Sequence, residues 1–183
     1  MNLIELVLER TDQAETPKSF FYWAMLCVIS ATVKRNVWIN KRIYKLYANL
    51  YVLLIAKSGL RKGAATSLAK NLVEKLQLTR VIYGRSSIQA IIKELSDQRT
   101  FPNGYVLNSA SGFIVSGELA SSIIGDPQAQ TILTDLYDSN YHSEWTNTLK
   151  GAGKEKLREI YVTFLAATNP TLLEEFLEET SIQ

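Results

Sequence analysis

Tyr51-Val-Leu-Leu-Ile-Ala-Lys-Ser-Gly-Leu-Arg-Lys-Gly-Ala-Ala-Thr-Ser67 is the stretch on which the fold turns. Residues 51–55 form a short run of bulky apolar side chains without alternation, as in a strand covered on both faces of a parallel sheet. Ser58 and Gly59 break the run. From 64 to 76 the apolar positions Ala65, Leu68, Ala69, Leu72, Val73 and Leu76 recur at helical spacing. Strand, tight turn with a lysine, helix is the layout of a phosphate-binding loop. Backbone N–H groups of the turn and of the helix N-terminus face the anion, and the lysine adds a full charge. The candidate phosphate contacts are Ser58, Gly59, Leu60, Arg61, Lys62, Gly63 and Ala64. The alternative is a strand–turn–helix carrying a surface lysine.

The strict pattern G-x-x-x-x-G-K-[ST] is met at one fixed position. Aligned on Lys62, its glycines fall on Ala56 and Arg61, and its hydroxyl residue falls on Gly63. The missing hydroxyl weighs most, because that oxygen coordinates the Mg²⁺ of the nucleotide. Thr66 or Ser67 could replace it only from the next helical turn. No firm metal site follows; Thr66 and Glu118 are the candidates for Mg²⁺.

The 183 residues suffice for one domain with a sizeable core, and the 46% apolar and 21% charged shares are ordinary for a globular protein. A net charge of +2 gives no global argument for nucleic acid, so any basic surface must be local. The single Cys27 excludes an internal disulfide and fits a reducing compartment, the cytoplasm being the simplest. Residues 20–33 are hydrophobic, but about 14 residues fall short of the roughly 20 a membrane helix needs. The N-terminus carries Glu5 and Glu9 instead of a basic targeting region. The expected organisation is an N-terminal helical segment, 1–45, packed on a core spanning 46–183.

Thr16-Pro17 reads as a helix start, with the hydroxyl as N-cap and the proline at the first helical position. The helix should run to about residue 34. It is apolar nearly all round and should be largely buried, its aromatic cluster serving as core. Lys41-Arg-Ile-Tyr-Lys45 interleaves cations with aromatic and apolar side chains. That pattern suits either nucleic acid or a solvated loop with its rings tucked in.

Further strands are expected at 80–83, 104–107, 113–115 and 160–167, with helices at 87–97 and from Asp126-Pro127 onward. The strand at 113–115 leads into Ser116-Gly117-Glu118. A carboxylate at the C-terminal edge of an apolar strand is what a nucleotide hydrolase needs beside its phosphate loop. Equally, Glu118 suits the start of a helix at 119–124, where the macrodipole favours an acid. The strand at 160–167 ends in Thr168-Asn-Pro170, polar groups able to sense a γ-phosphate. Lys150, Lys154, Lys156 and Arg158 flank two glycines and form the densest basic patch, a DNA-contacting loop or a solvated one. His142 has no ligand-spaced partner, so neither a zinc site nor a histidine-dependent nucleophile is expected.

Taken in order, these pieces resemble those of a RecA-like P-loop ATPase core. The wording Pro17-Lys-Ser-Phe-Phe, Leu46-Tyr-Ala-Asn-Leu-Tyr-Val-Leu-Leu-Ile, Ser58-Gly-Leu-Arg-Lys, Ser116-Gly-Glu-Leu and Leu165-Ala-Ala-Thr-Asn-Pro170 resembles a family of phage, plasmid and prophage P-loop proteins. Many of these are helicase-like or fused to primases. The resemblance covers about 17–177. It implies an α/β three-layer fold with a mostly parallel central sheet and ATP as ligand. It also implies Lys62 on the β- and γ-phosphates, Glu118 as catalytic acid residue and Thr168 or Asn169 as sensor. Members usually carry Ser or Thr at the position of Gly63 and Asp at that of Gly117, and both departures weaken Mg²⁺ dependence. Members also generally continue into a further strand bearing an arginine. A homo-oligomer or a partner chain supplying that arginine is therefore expected. The favoured reading is an ATP-binding motor domain for replication or recombination of mobile DNA. Its rivals are a catalytically degenerate interaction module, and a DNA-binding protein working through 41–45 and 150–158 without nucleotide.

Overall fold

The structure is a computed structural model of the chain and describes residues 2–84, 87–117, 127–138, 144–149 and 153–174. Two helices, α1 (Leu3–Arg10) and α2 (Lys18–Val33), open the chain. They are followed by the short strands β1 (Trp38–Asn40) and β2 (Lys45–Tyr47), then β3 (Tyr51–Ile55) and α3 (Lys62–Leu76). Next come β4 (Arg80–Tyr83), α4 (Ile88–Ser96), β5 (Arg99–Thr100), β6 (Val106–Leu107) and β7 (Ser111–Ser116). The last described elements are α5 (Pro127–Tyr137), β8 (Trp145–Leu149), β9 (Gly153–Leu157) and β10 (Tyr161–Thr168).

Four strands form the central sheet in the order β3-β10-β7-β4, and every pairing is parallel. The apolar runs expected at 51–55, 80–83, 113–115 and 160–167 are thus its members. The run at 104–107 is not: only Val106 and Leu107 are extended, in a two-residue ladder with β5. Burial follows position in the sheet. All six residues of β7 and all eight of β10 are buried, whereas the outer strands β3 and β4 are only partly covered.

Alternate residues of each strand serve opposite faces. Leu54, Phe113, Val115, Leu165 and Ala167 pack with α2 and α3. Ile82, Ile114, Val162, Phe164 and Ala166 pack with α4 and α5. The result is an α/β fold of three layers, with two apolar interfaces on one parallel sheet. Removing an Ile, Leu or Phe side chain of this kind from water is worth about 1.5–3 kcal/mol.

Local chemistry sets the helix boundaries. A capping box starts α1: the Asn2 side chain accepts from the Glu5 N–H at 2.9 Å, and the Glu5 carboxylate accepts from the Asn2 N–H at 2.9 Å. Ser87 caps α4 by accepting from the Ala90 N–H at 3.3 Å. Two expectations for α2 need correction. Pro17 is its N-cap residue, and the Thr16 hydroxyl is engaged elsewhere. The helix is also buried on one broad face only, since Tyr22 and Trp23 lie at the surface in an edge-to-face pair. No helix among the described residues is long and apolar enough to cross a membrane.

Candidate functional site

The turn between β3 and α3 occupies residues 56–61. Its first residue still follows the sheet, the Ala56 N–H donating to Thr168 O at 3.3 Å. Gly59 takes a φ of +97°, in the region that favours glycine, and reverses the chain. Arg61 also adopts a left-handed conformation, φ 44° and ψ 39°, immediately before the helix. That is the position where the strict phosphate-loop pattern has its second glycine, and an L side chain there costs roughly 1–2 kcal/mol. Two groups from before α2 hold it. Thr16 Oγ1 donates to Arg61 O at 3.0 Å, and the Arg61 guanidinium pairs with the Glu15 carboxylate. Sequence reasoning missed both, since nothing in the pattern links positions 45 residues apart.

Lys62 is the first residue of α3 and folds back over the turn. Its Nζ donates to Ala56 O at 2.5 Å and to Lys57 O at 3.3 Å. The lysine therefore stands where an anion seated in the turn would meet it, and among the described residues its partners are two carbonyl oxygens.

A cleft of about 130 Å³ opens here, lined by Ser58, Lys62, Gly117, Ala167, Thr168 and Asn169. The sheet register explains this convergence. Thr168 pairs with Ile55 at the end of β3, and Ala166 pairs with Ser116 at the end of β7. Three C-terminal strand ends therefore lie side by side, the edge where open α/β sheets bind ligands. The cleft is smaller than the roughly 300–1,000 Å³ that encloses a whole small molecule. It suits an anionic group rather than an entire nucleotide.

Asn169 is polarised by its surroundings. Its Oδ1 accepts from the Leu172 N–H at 2.8 Å, capping the helical turn that begins at Pro170. Among the described residues nothing takes up its side-chain NH₂, a donor at the cleft. Thr168 is buried, with its hydroxyl at a long 3.5 Å from Asn169 O. The structure thus brings Ser58, Lys62, Thr168 and Asn169 together, while Glu118 lies outside the described residues.

The donor set fits phosphate better than a metal. Thr66, a candidate for Mg²⁺, is 1% exposed and donates to Gly63 O at 3.1 Å, closing a turn within its own helix. It is not among the residues lining the cleft. Among the described residues the cleft has no carboxylate, and no three His, Cys, Asp or Glu side chains cluster as a metal site would require. Neither glycine departure is enforced by packing. Among the described residues, a Cβ at Gly63 would meet nothing within 4 Å, and one at Gly117 would meet Tyr83 Oη at 3.8 Å.

The basic patch looks different in the fold. Residues 153–157 are not loop but the strand β9, paired antiparallel with β8. Glu144 takes up two of its cations, accepting from Lys156 Nζ at 2.9 Å and from Arg158 Nε at 2.7 Å. Those hydrogen bonds, Lys156 first and then Arg158, hold the Glu144 carboxyl below its ordinary range. Lys150 and the Lys154 side chain lie outside the described residues, as does His142. Cys27 is buried in the α2 interface, and burial pushes its thiol up to about 12, which leaves it inert.

Comparison of the chain with models of known protein families, and with curated proteins, finds no match.

Proposed function

We propose that the chain is an ATP-binding domain of RecA-like P-loop type, serving a helicase-like motor in the replication or recombination of phage or plasmid DNA. One observation carries the reading. Lys62, on the first turn of α3, shares a cleft at the C-terminal sheet edge with Thr168 and Asn169 of the neighbouring strand end. The strand order supports it as well. β10 lies between β3 and β7, so the polar Thr168-Asn169 end stands between the β3–α3 turn and the end of β7, after which Glu118 follows in sequence.

In this reading the turn and the α3 N-terminus hold the β- and γ-phosphates, with Lys62 exchanging carbonyl oxygens for phosphate oxygens. Asn169 would donate to the terminal phosphate. Bound Mg²⁺ would supply charge neutralisation; the described lining offers it the hydroxyls of Ser58 and Thr168 but no carboxylate. A second reading has a specific basis. Gly63 and Gly117 remove the metal-holding groups, and Arg61 stands in a backbone conformation better suited to glycine. A degenerate domain that binds nucleotide weakly, or acts only as an interaction module, would show these features.

Calorimetry with ATP tests the proposal. Lys62→Ala should weaken binding by about 2 kcal/mol or more, the loss of a charge-assisted contact. Equal affinities for the two proteins would make Lys62 a surface lysine and leave the interaction module as the surviving reading.

A further inference from the structure

The chain's modest net charge conceals a sharp division. No aspartate or glutamate occurs between residues 16 and 73, whereas ten lysines and arginines do; all 18 acids lie elsewhere. Within this acid-free stretch stands the β1–β2 hairpin, paired as Trp38↔Tyr47, Ile39↔Leu46 and Asn40↔Lys45.

The hairpin's base is fixed. Arg35 Nη2 donates to Tyr47 Oη at 2.7 Å, and its guanidinium stacks 4.1 Å above the Tyr47 ring. Arg35 Nη1 reaches Ile160 O at 2.8 Å, and Tyr47 packs edge-on against Tyr161 of β10. The turn is equally well defined. The Lys41 N–H donates to Tyr44 O, the Ile43 N–H to Lys41 O and the Arg42 N–H to Asn40 Oδ1, at 2.9, 2.9 and 3.1 Å. Beyond this frame the side chains are open: Trp38 is 48% exposed, Tyr44 42% and Ile43 82%. Among the described residues no ion pair to a carboxylate holds Lys41, Arg42 or Lys45. Lys45 instead lies 4.8 Å above the Trp38 ring, so cation and aromatic face share one side of the ribbon.

We propose that the β1–β2 hairpin is a contact surface for single-stranded nucleic acid, with Lys41, Arg42 and Lys45 on phosphates and Trp38 and Tyr44 stacking on bases. The combination of a backbone-tracking basic surface with exposed rings is what sequence-tolerant single-strand binding requires. Unpaired bases are specified because a duplex hides the faces that the rings would meet. An anionic membrane fits less well. A hairpin entering lipid leads with its tip, and this tip, Lys41-Arg-Ile-Tyr-Lys45, has cations at three of its five positions. A protein partner would have to be strongly acidic, and a second copy of this chain would bring the same positive charge. The proposal does not rest on the nucleotide reading, because the hairpin joins the N-terminal end of β3 and the cleft lies at the other end.

Fluorescence anisotropy of a labelled oligothymidylate with the full chain, without nucleotide, tests it. The wild type should bind with a clear salt dependence. Changing Lys41, Arg42 and Lys45 together to glutamate should weaken binding at least tenfold. It should also make the salt slope shallower by roughly two, at about 0.7 per lost single-strand phosphate contact. Trp38→Ala should weaken binding about tenfold and Trp38→Phe far less, since a ring is retained. Matched melting curves separate these effects from misfolding. Wild-type affinity in the triple variant would overturn the proposal. So would wild type that ignores the oligonucleotide while binding mixed phosphatidylserine–phosphatidylcholine vesicles, or while forming a dimer that the triple variant loses.

Discussion

The two ends of the central sheet both carry cations and treat them differently. At the N-terminal end Arg80 is 1% exposed, its Nη2 donating to Asp97 O at 2.8 Å and to Ser109 O at 3.3 Å. On the opposite face of the sheet, Ser30 of α2 meets Tyr161 and Thr163 of β10, with Ser30 Oγ 2.7 Å from Thr163 Oγ1 and 3.2 Å from Tyr161 Oη. At the C-terminal end Lys62 also rests on carbonyls, but they belong to its own surface turn and the ammonium lines an open cleft. A cation enclosed by carbonyls from separate elements is a structural tie. A cation parked on the backbone of a single exposed turn is free to exchange those acceptors for an anion.

The largest expected effect sharpens this contrast at the buried end. Arg80→Ala should destabilise the fold by about 3–5 kcal/mol, through lost packing and two carbonyls left without donors. Burial pushes the guanidinium's pKa down, and among the described residues its Nε has no hydrogen-bond partner. Arg80→Met, which keeps an apolar stem, should therefore cost clearly less. Lys62→Ala, by contrast, should change stability by no more than about 0.5 kcal/mol, as for an ordinary surface site. Urea midpoints measure all three. A tolerated Arg80→Ala alongside a destabilising Lys62→Ala would invert the assignment of the two ends.

Much of this contrast was legible in the sequence, and the rest was not for definite reasons. Apolar runs betray sheet strands, so β3, β4, β7 and β10 were readable as runs. Only β7 and β10 are buried throughout, because β3 and β4 lie at the sheet's edges, and the full cover expected of 51–55 is not found. The expected strand at 104–107 shrank to β6 because the turn-rich stretch around it closes a local ladder with β5 instead of feeding the sheet. The strand–turn–helix layout at 51–76 was readable from an apolar run, one glycine and a helical spacing. Its bracing was not, because Glu15 and Thr16 meet Arg61 only through the packing of α2 beside α3. Thr16 was misread for the same reason: a hydroxyl before proline signals a cap, and here a distant carbonyl competed for it. Arg80 begins a strand like any solvated charge, and its burial depends on Gly112 across the ladder. A Cβ there would come within 2.9 Å of Leu95 Cδ2 and 3.3 Å of Arg80 Cγ.

A second prediction tries to break the contrast at the cleft by adding what it lacks. Both Gly63 and Gly117 have room for a side chain at their Cβ positions. Gly63→Ser with Gly117→Asp should make ATP bind about tenfold tighter with Mg²⁺ than with EDTA, roughly 1.4 kcal/mol, where the wild type shows a ratio near unity. Hydrolysis would follow only with an arginine from a neighbouring subunit. A wild type that already depends strongly on Mg²⁺ and turns over on the order of 1–10² s⁻¹ would show that a residue beyond those described holds the metal.

The smallest effect distinguishes the two peripheral hairpins, one with its cations open and the other with them neutralised. In the β8–β9 hairpin Glu144 accepts from Lys156 and Arg158, and its pKa is lowered from the ordinary 4.5. A carboxyl whose pKa is lower folded than unfolded binds its proton more weakly in the native state. Its stabilising contribution is therefore complete above 4.5 and fades as pH falls from there through the lowered folded value. The pair is solvent-exposed, so global stability should hardly register the change. A carboxyl-detected NMR titration should instead place the Glu144 midpoint below 4.5, and 1 M salt, with a screening length of about 3 Å, should raise it toward that value. Glu144→Gln should release both cations and raise the affinity of the chain for polyanions. If Glu144 titrates at its ordinary value and Glu144→Gln changes nothing, Lys156 and Arg158 were open from the start. The two hairpins would then both carry open cations rather than being opposites.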